Sequence, residues 1–112
     1  MVKGISITPT KVVTEVEVDG LKDYQQIVQG LIQPCTLADG STMYVNEEFL
    51  FQFTRDDFNS IATDVALLGR HHVGTTGILG PVLIVGPLDA DGYDTDITDQ
   101  ARRWVRRVAR EA

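Results

Sequence analysis

From Leu31 to Phe53 the chain reads L-I-Q-P-C-T-L-A-D-G-S-T-M-Y-V-N-E-E-F-L-F-Q-F. Three runs rich in apolar residues are separated by residues 38–41 (Ala-Asp-Gly-Ser) and 46–48 (Asn-Glu-Glu), which are turn-forming sequences. The pattern predicts an antiparallel meander of three strands. Period-2 alternation in the third strand places Phe49, Phe51 and Phe53 on one face. Because three aromatic rings on one face need a covering layer, we expect helices from the flanking segments to pack against them.

The segment before this stretch predicts a hairpin and a helix. Gly4 to Ile7 and Lys11 to Val18 are rich in β-branched residues and read as two strands. Apolar residues recur at helical spacing between Leu21 and Gln29, so a short amphipathic helix is expected there. Gly30 is placed where a left-handed C-cap residue belongs.

The segment after this stretch begins with a capping pattern. Thr54 and Asp57 have the spacing of a capping box, which predicts a helix start. Gly69 is a natural stop for this helix. Its expected apolar stripe is formed by Phe58, Ile61, Ala62, Val65 and Leu68.

The C-terminal third contains a loop, a strand and a helix. Residues 70–80 include three glycines and little periodicity, so a loop is expected. Residues 81–87 (P-V-L-I-V-G-P) form a short apolar run bounded by proline, which predicts a central strand covered on both faces. Thr98 is the expected N-cap of the last helix. The apolar stripe of this helix is Ala101, Trp104, Val105, Val108 and Ala109.

Together these elements predict one α+β domain over residues 1–112. We expect an antiparallel or mixed sheet of about five or six strands, with three helices packed mainly on one face. The 43% hydrophobic content is typical of a globular protein. No apolar run reaches the length of a membrane span, and the start has no secretory signal pattern, so we expect a cytoplasmic protein with no membrane partner. Cys35 is expected to be a small buried side chain.

The charge is distributed unevenly along the chain. The net charge is -6, yet residues 101–112 carry five arginines and one glutamate. The preceding 100 residues carry 15 acidic and five basic side chains. The last helix is therefore the main basic feature of an otherwise acidic chain.

Several short motifs in this order resemble a known family. They are Val28-Gln29-Gly30, the turn at Asp39-Gly40, Y-V-N-E-E at 44–48, N-S-I-A-T at 59–63, G-P-V-L-I-V-G at 80–86 and Thr98-Asp99-Gln100. In this order they resemble domain of unknown function 3846, a family of small bacterial and phage domains. Two departures are Phe49, where the family usually has glycine, and a longer spacing before N-S-I-A-T. The resemblance implies no activity, but it favours an accessory protein of a phage or mobile element.

Two polar groups are candidate ligand-binding residues. Asn46, Glu47 and Glu48 offer hard oxygen donors to a metal or an amine, although the same residues are typical of a solvated turn. His71 and His72 form the only histidine pair, and adjacent histidines in a polar loop are more often simply exposed. A catalytic or metal site would need further ligands, so the sequence assigns no catalytic residue, metal or cofactor.

Two loops carry weaker signals. Residues 74–77 (Gly-Thr-Thr-Gly) supply N–H groups and hydroxyls for a phosphate, but they lack the P-loop pattern. The aspartates of residues 89–96 suggest calcium, but Asp94 and Gln100 occupy the places of the required glycine and glutamate. A solvated acidic loop is the simpler interpretation.

The basic face of the last helix is the strongest charge feature. It consists of Arg102, Arg103, Arg106, Arg107 and Arg110. Such a face binds nucleic acid or an acidic partner protein in some proteins and is merely solvated in others. The acidic remainder of the chain opposes a polyanion.

Three functions are therefore open. The leading hypothesis is a small non-enzymatic accessory protein that binds a host protein or a small ligand. The alternatives are a nucleic-acid-binding protein that uses the arginine-rich helix, and a metal-dependent enzyme that uses the Asn-Glu-Glu turn and the histidine pair. The sequence does not indicate an oligomeric state.

Overall fold

Ten elements of regular structure follow one another in this computed structural model, which describes all 112 residues. The strands are β1 (Val2–Ile7), β2 (Val13–Val18), β3 (Ile32–Thr36), β4 (Thr42–Asn46) and β5 (Val82–Val85). The helices are α1 (Leu21–Val28), α2 (Phe49–Gln52), α3 (Ser60–Leu68) and α4 (Asp99–Glu111), and a 3₁₀ turn spans Arg55–Asp57. The expected α+β class is confirmed.

The five strands form one sheet in the order β2-β1-β5-β4-β3, and every neighbouring pair is antiparallel. β5 lies in the centre, as its uninterrupted apolar sequence predicted, and all four of its residues are fully buried. The opening hairpin and the hairpin around Asp39-Gly40 also form as predicted. Their registers pair Ile7 with Val13 and Thr36 with Thr42.

Helices cover both faces of the sheet. Alternate residues of a strand point to opposite faces, and each face belongs to its own apolar cluster. A cluster of 17 buried residues joins one face to α3 and α4. A second cluster of six buried residues joins the other face to α1 through Tyr24 and Val28. We expected three helices mainly on one face of the sheet. Only α3 and α4 share a face, and α1 packs on the opposite face.

The predicted third strand of the meander is wrong. Phe49–Gln52 is a short helix, and the expected face of three phenylalanines does not exist. Phe49 packs against the larger core cluster, whereas 91% of the Phe51 side chain is exposed. The physical reason is competition for the free edge of β4. That edge pairs with β5, whose four apolar residues are buried on both faces, so residues 49–53 cannot pair with β4 as the third strand of a meander.

Two helix ends differ in detail from the prediction. The left-handed residue after α1 is Gln29, with φ 64° and ψ 38°, and not Gly30. Gly30 is needed for space instead, because a Cβ atom there would lie 2.6 Å from Nδ2 of Asn46. The capping box of Thr54 and Asp57 forms, but it caps the 3₁₀ turn, and Asn59 is the N-cap of α3.

The N-terminus of α4 is tied to the β3–β4 turn. The Thr98 hydroxyl accepts a hydrogen bond from the N–H of Ala101, as expected of an N-cap, and donates to Oδ2 of Asp39 at 2.6 Å. Ser41 donates to the same carboxylate through its N–H and its hydroxyl. Partial burial alone would raise the pKa of Asp39, but these hydrogen bonds outweigh it and hold the pKa below its ordinary value of 3.8.

This network predicts a pH-dependent contribution to stability. Because the native state lowers the pKa of Asp39, its stabilisation is fully present above the unfolded-state pKa and is lost as pH falls through the folded-state pKa. Asp39→Asn should therefore lower the free energy of unfolding at pH 7, and the difference from wild type should shrink below pH about 4. Denaturant unfolding at several pH values measures it.

Asp64→Asn is the matched control, since this exposed carboxylate on α3 accepts no hydrogen bond. It should leave the free energy of unfolding nearly unchanged at pH 7. A pH-independent difference between wild type and Asp39→Asn would contradict the assignment.

Candidate functional site

The Asn46-Glu47-Glu48 turn is built around a buried amide. The Asn46 side chain is 2% exposed, and its Nδ2 donates to the carbonyls of Val28 (3.1 Å) and Gln29 (3.2 Å) and to Oε1 of Gln52 (3.1 Å). Its Oδ1 accepts from the N–H of Glu48 at 2.8 Å. Both polar atoms of Asn46 are therefore engaged in joining the end of α1 to β4 and α2. They are not directed at a ligand.

Four exposed residues between positions 47 and 51 form a projecting surface on the outer side of this turn. Glu47 and Glu48 are exposed, and so are Leu50 (57%) and Phe51 (91%) of α2. We call this group the α2 tip. Phe49 faces the core and Gln52 donates to the carbonyl of Gln29 at 2.8 Å, so the other side of the short helix is fixed to the body of the protein. The tip thus presents two apolar side chains and two carboxylates on a rigid base.

The histidine pair lies at a different place from the glutamates. His71 and His72 border a pocket of about 160 Å³. The remaining lining is Gln33, Cys35, Val45, Phe49, Val73 and Ile78. Glu47 and Glu48 do not reach this pocket, so the candidate ligand-binding residues do not form a single site. Sequence reasoning missed that Cys35 lies beside the histidines, although Gln33 and Cys35 share one face of β3.

This pocket has few features of a catalytic, metal-binding or ligand-binding site. Burial raises the pKa of the Cys35 thiol, which keeps it protonated and a poor nucleophile at neutral pH. Nowhere in the structure do three or more His, Cys, Asp or Glu side chains come close enough together to hold a metal ion. A pocket of about 160 Å³ is also smaller than the ~300 Å³ at which sites for drug-sized ligands begin.

The acidic loop after β5 uses its carboxylates within the protein. Asp94 accepts hydrogen bonds from the hydroxyls of Tyr24 (2.7 Å) and Tyr44 (2.9 Å), whose rings lie 5.0 Å apart between centroids. Burial, reinforced by these bonds to Asp94, raises the pKa of both tyrosines, so both remain protonated donors. Asp89 accepts from two N–H groups of its own loop, and Asp96 accepts from the N–H of Lys3. The loop is a structural clamp, which the aspartate pattern alone did not indicate.

The arginines of α4 divide into two groups. Arg102 forms a salt bridge with Glu15 of β2 and is half-buried. The other four, Arg103, Arg106, Arg107 and Arg110, are exposed, and at about 100° per residue they fall within an arc of about 100°. Their one salt bridge joins Arg107 to Glu111 at 3.9 Å, near the limit of such a contact. We call these four residues the arginine stripe.

The sequence of this α+β domain matches a recognised family. The sequence profile of a domain of unknown function (DUF3846) matches residues 2–109, which is essentially the whole chain. The protein is therefore a member of this family, as its motifs suggested. No curated protein and no solved structure matches the chain. None of the helices combines the length and the apolar character that crossing a bilayer requires.

The buried amide predicts a large effect of substitution. Asn46→Ala would leave the carbonyl of Val28 and the N–H of Glu48 without this side-chain partner, so the free energy of unfolding should fall by about 2–4 kcal/mol. Denaturant unfolding measures this loss. Gln52→Ala removes one of these bonds and its own bond to the carbonyl of Gln29, from a more exposed side chain, and should cost less than about 1.5 kcal/mol. Equal effects of the two substitutions would contradict the structural role given to Asn46.

Proposed function

We propose that the protein is a small non-enzymatic accessory protein that binds a partner protein through the α2 tip. The observation that carries the proposal is the exposure of Phe51, 91%, on a helix whose other side is hydrogen-bonded and packed. Isolated exposed apolar residues are common on protein surfaces. An aromatic ring that is 91% exposed beside an exposed leucine, both on a fixed base, instead forms an apolar patch of the kind that marks protein interaction sites.

Pre-organisation supports the same reading. Binding a flexible loop requires its side chains to be ordered, which opposes association. The α2 tip is already ordered, because Asn46 and Gln52 hold it against the end of α1. Its apolar side chains would therefore enter a partner pocket with little further loss of conformational freedom.

The charges of the tip define the partner further. Glu47 and Glu48 are exposed at the start of α2, beside the apolar pair. An apolar pocket bordered by lysine or arginine is complementary to this arrangement. We infer a host protein as partner and a cytoplasmic location, both following from the expected phage or mobile-element role.

The arginine stripe favours nucleic-acid binding as a second candidate function. Its four exposed guanidinium groups lie along a helix about 20 Å long, and a row of cations on one face is what phosphate backbones contact. The stripe is flanked by Asp99 and Glu111 and belongs to a chain of net charge -6, both of which oppose a polyanion. For this reason we place it second.

A metal-dependent enzyme remains a hypothesis from sequence that we do not carry forward. It would use Glu47, Glu48, His71 or His72, yet the two histidines border a pocket that the two glutamates do not line, and no three possible metal ligands come together.

The first candidate function predicts two separable effects of substitutions in the tip. Phe51→Ala and Leu50→Ala should each leave the free energy of unfolding within about 0.5 kcal/mol of wild type, because the side chains are exposed. Each should weaken retention of the partner about tenfold or more, because a buried hot-spot side chain is truncated. Affinity capture from a lysate of the organism that carries the gene, with mass-spectrometric identification of a stoichiometric protein, measures retention.

Leu67→Ala is the matched control for Leu50→Ala, since these two helical leucines are 54% and 57% exposed and Leu67 lies on α3. It should leave retention unchanged. Retention of the same protein by Phe51→Ala, or of no stoichiometric protein by wild type, would refute the proposal. A dimer of wild type that Phe51→Ala converts to a monomer would assign the tip to self-association instead.

The second candidate function predicts a steep salt dependence. Retention of wild type on duplex DNA should weaken with salt, and the triple variant Arg103→Ala, Arg106→Ala, Arg110→Ala should reduce the salt slope by about 3. The triple variant Lys3→Ala, Lys11→Ala, Lys22→Ala removes the same charge elsewhere and is the control. Absent or salt-independent retention excludes this function, and equal effects of the two triple variants would mean that net charge alone is responsible.

A further inference from the structure

A second, larger pocket lies between the 3₁₀ turn and the glycine-rich loop. Its volume is about 580 Å³, within the ~300–1,000 Å³ range of small-molecule sites. The lining residues are Arg55, Phe58, Thr75, Thr76 and Leu79. Arg55 is the only charged residue among them, so the lining itself carries a positive charge. Asp56 and Asp57, which follow Arg55 in the 3₁₀ turn, line a different pocket. An anionic ligand is favoured there by charge.

The polar groups of this pocket are free to bind such a ligand. The exposed guanidinium group of Arg55 forms neither of the two salt bridges in the protein and donates no hydrogen bond within it. Thr75 also lines the pocket, and Gly74 precedes it in the exposed loop. The N–H groups of both residues donate to no backbone carbonyl, and the Thr75 hydroxyl has no protein partner. Adjacent N–H groups, a hydroxyl and a guanidinium fork are the donors that a phosphate accepts.

The remaining wall is apolar and aromatic. Phe58 is 42% exposed and Leu79 is 7% exposed, and an isolated β-bridge joins the two residues. Gly77 leaves room for the ring, because a Cβ atom there would lie 2.6 Å from Cε1 of Phe58. The N–H of Asn59 donates to the carbonyl of Ile78 at 2.9 Å, which holds this wall to the start of α3. The ring is thus fixed with part of its surface open to the pocket.

From these features we propose that the pocket binds a nucleoside monophosphate. The phosphate accepts hydrogen bonds from Arg55 and from the N–H and hydroxyl groups at Thr75, and the base stacks on Phe58. Stacking of a base on an aromatic side chain is tolerant of base identity, and the pocket offers few further polar groups to select one. This inference goes beyond the proposed function, since it concerns a different surface from the α2 tip and does not depend on it.

Isothermal titration calorimetry with AMP, UMP, adenosine and inorganic phosphate tests the proposal. Both nucleotides should bind at millimolar concentration or below, and more tightly than adenosine or phosphate, because each of these retains only one of the two contacts. Arg55→Gln should weaken AMP binding at least about tenfold, because it removes charge-assisted hydrogen bonds. Thr75→Val should weaken it less, by about fivefold, because it removes one hydroxyl.

The controls separate this site from general effects. Arg110→Gln removes the same charge from the distant end of α4 and should leave AMP binding unchanged. Phe58→Leu should weaken AMP binding about fivefold or more while binding of inorganic phosphate stays the same, which a loss of folding would not produce. No binding of AMP to wild type at millimolar concentration, or equal weakening by Arg55→Gln and Arg110→Gln, would overturn the proposal.

Discussion

The burial of β5 on both faces is the constraint on which the rest of the structure depends. Val82, Leu83, Ile84 and Val85 are fully buried, and full burial of one such side chain contributes roughly 1.5–3 kcal/mol. Two opposite faces can be buried only if both are covered. This explains why α3 and α4 lie on one face and α1 on the other, and why a chain of this size forms two apolar clusters.

The position of β5 also creates the projecting surface. β4 has two edges, of which β3 occupies one and β5 the other. The residues that follow β4 along the chain therefore leave the sheet at the turn, where the side chain of Asn46 accepts from the N–H of Glu48 and donates to the carbonyl of Val28 in α1. Phe49 returns to the core while Leu50 and Phe51 point outward. The α2 tip is therefore exposed because β5, and not residues 49–53, pairs with β4.

Local patterns predicted the elements whose formation depends on neighbouring residues. The hairpin at Asp39-Gly40, the apolar run of β5 and the N-cap at Thr98 are written in a few adjacent positions, and all are present. The failures depend on distant partners. Alternating phenylalanines fit a strand, but both edges of the preceding strand, β4, are occupied by β3 and β5. The pocket that unites Arg55 with Thr75 depends on the bridge between Phe58 and Leu79, and no local periodicity indicates a contact between segments about 20 residues apart.

The exposed ring of the α2 tip adds little to the stability of the fold. Phe51 is 91% exposed, so it contributes almost nothing to the core, yet an exposed ring raises the risk of aggregation. A residue on a mobile loop could fold back and hide its ring, but the hydrogen bonds of Asn46 and Gln52 prevent this. Glu47 and Glu48 are exposed and precede α2 directly, and charged residues beside an exposed apolar segment oppose aggregation. Under the proposed function, the same two carboxylates would also orient a partner with a basic rim.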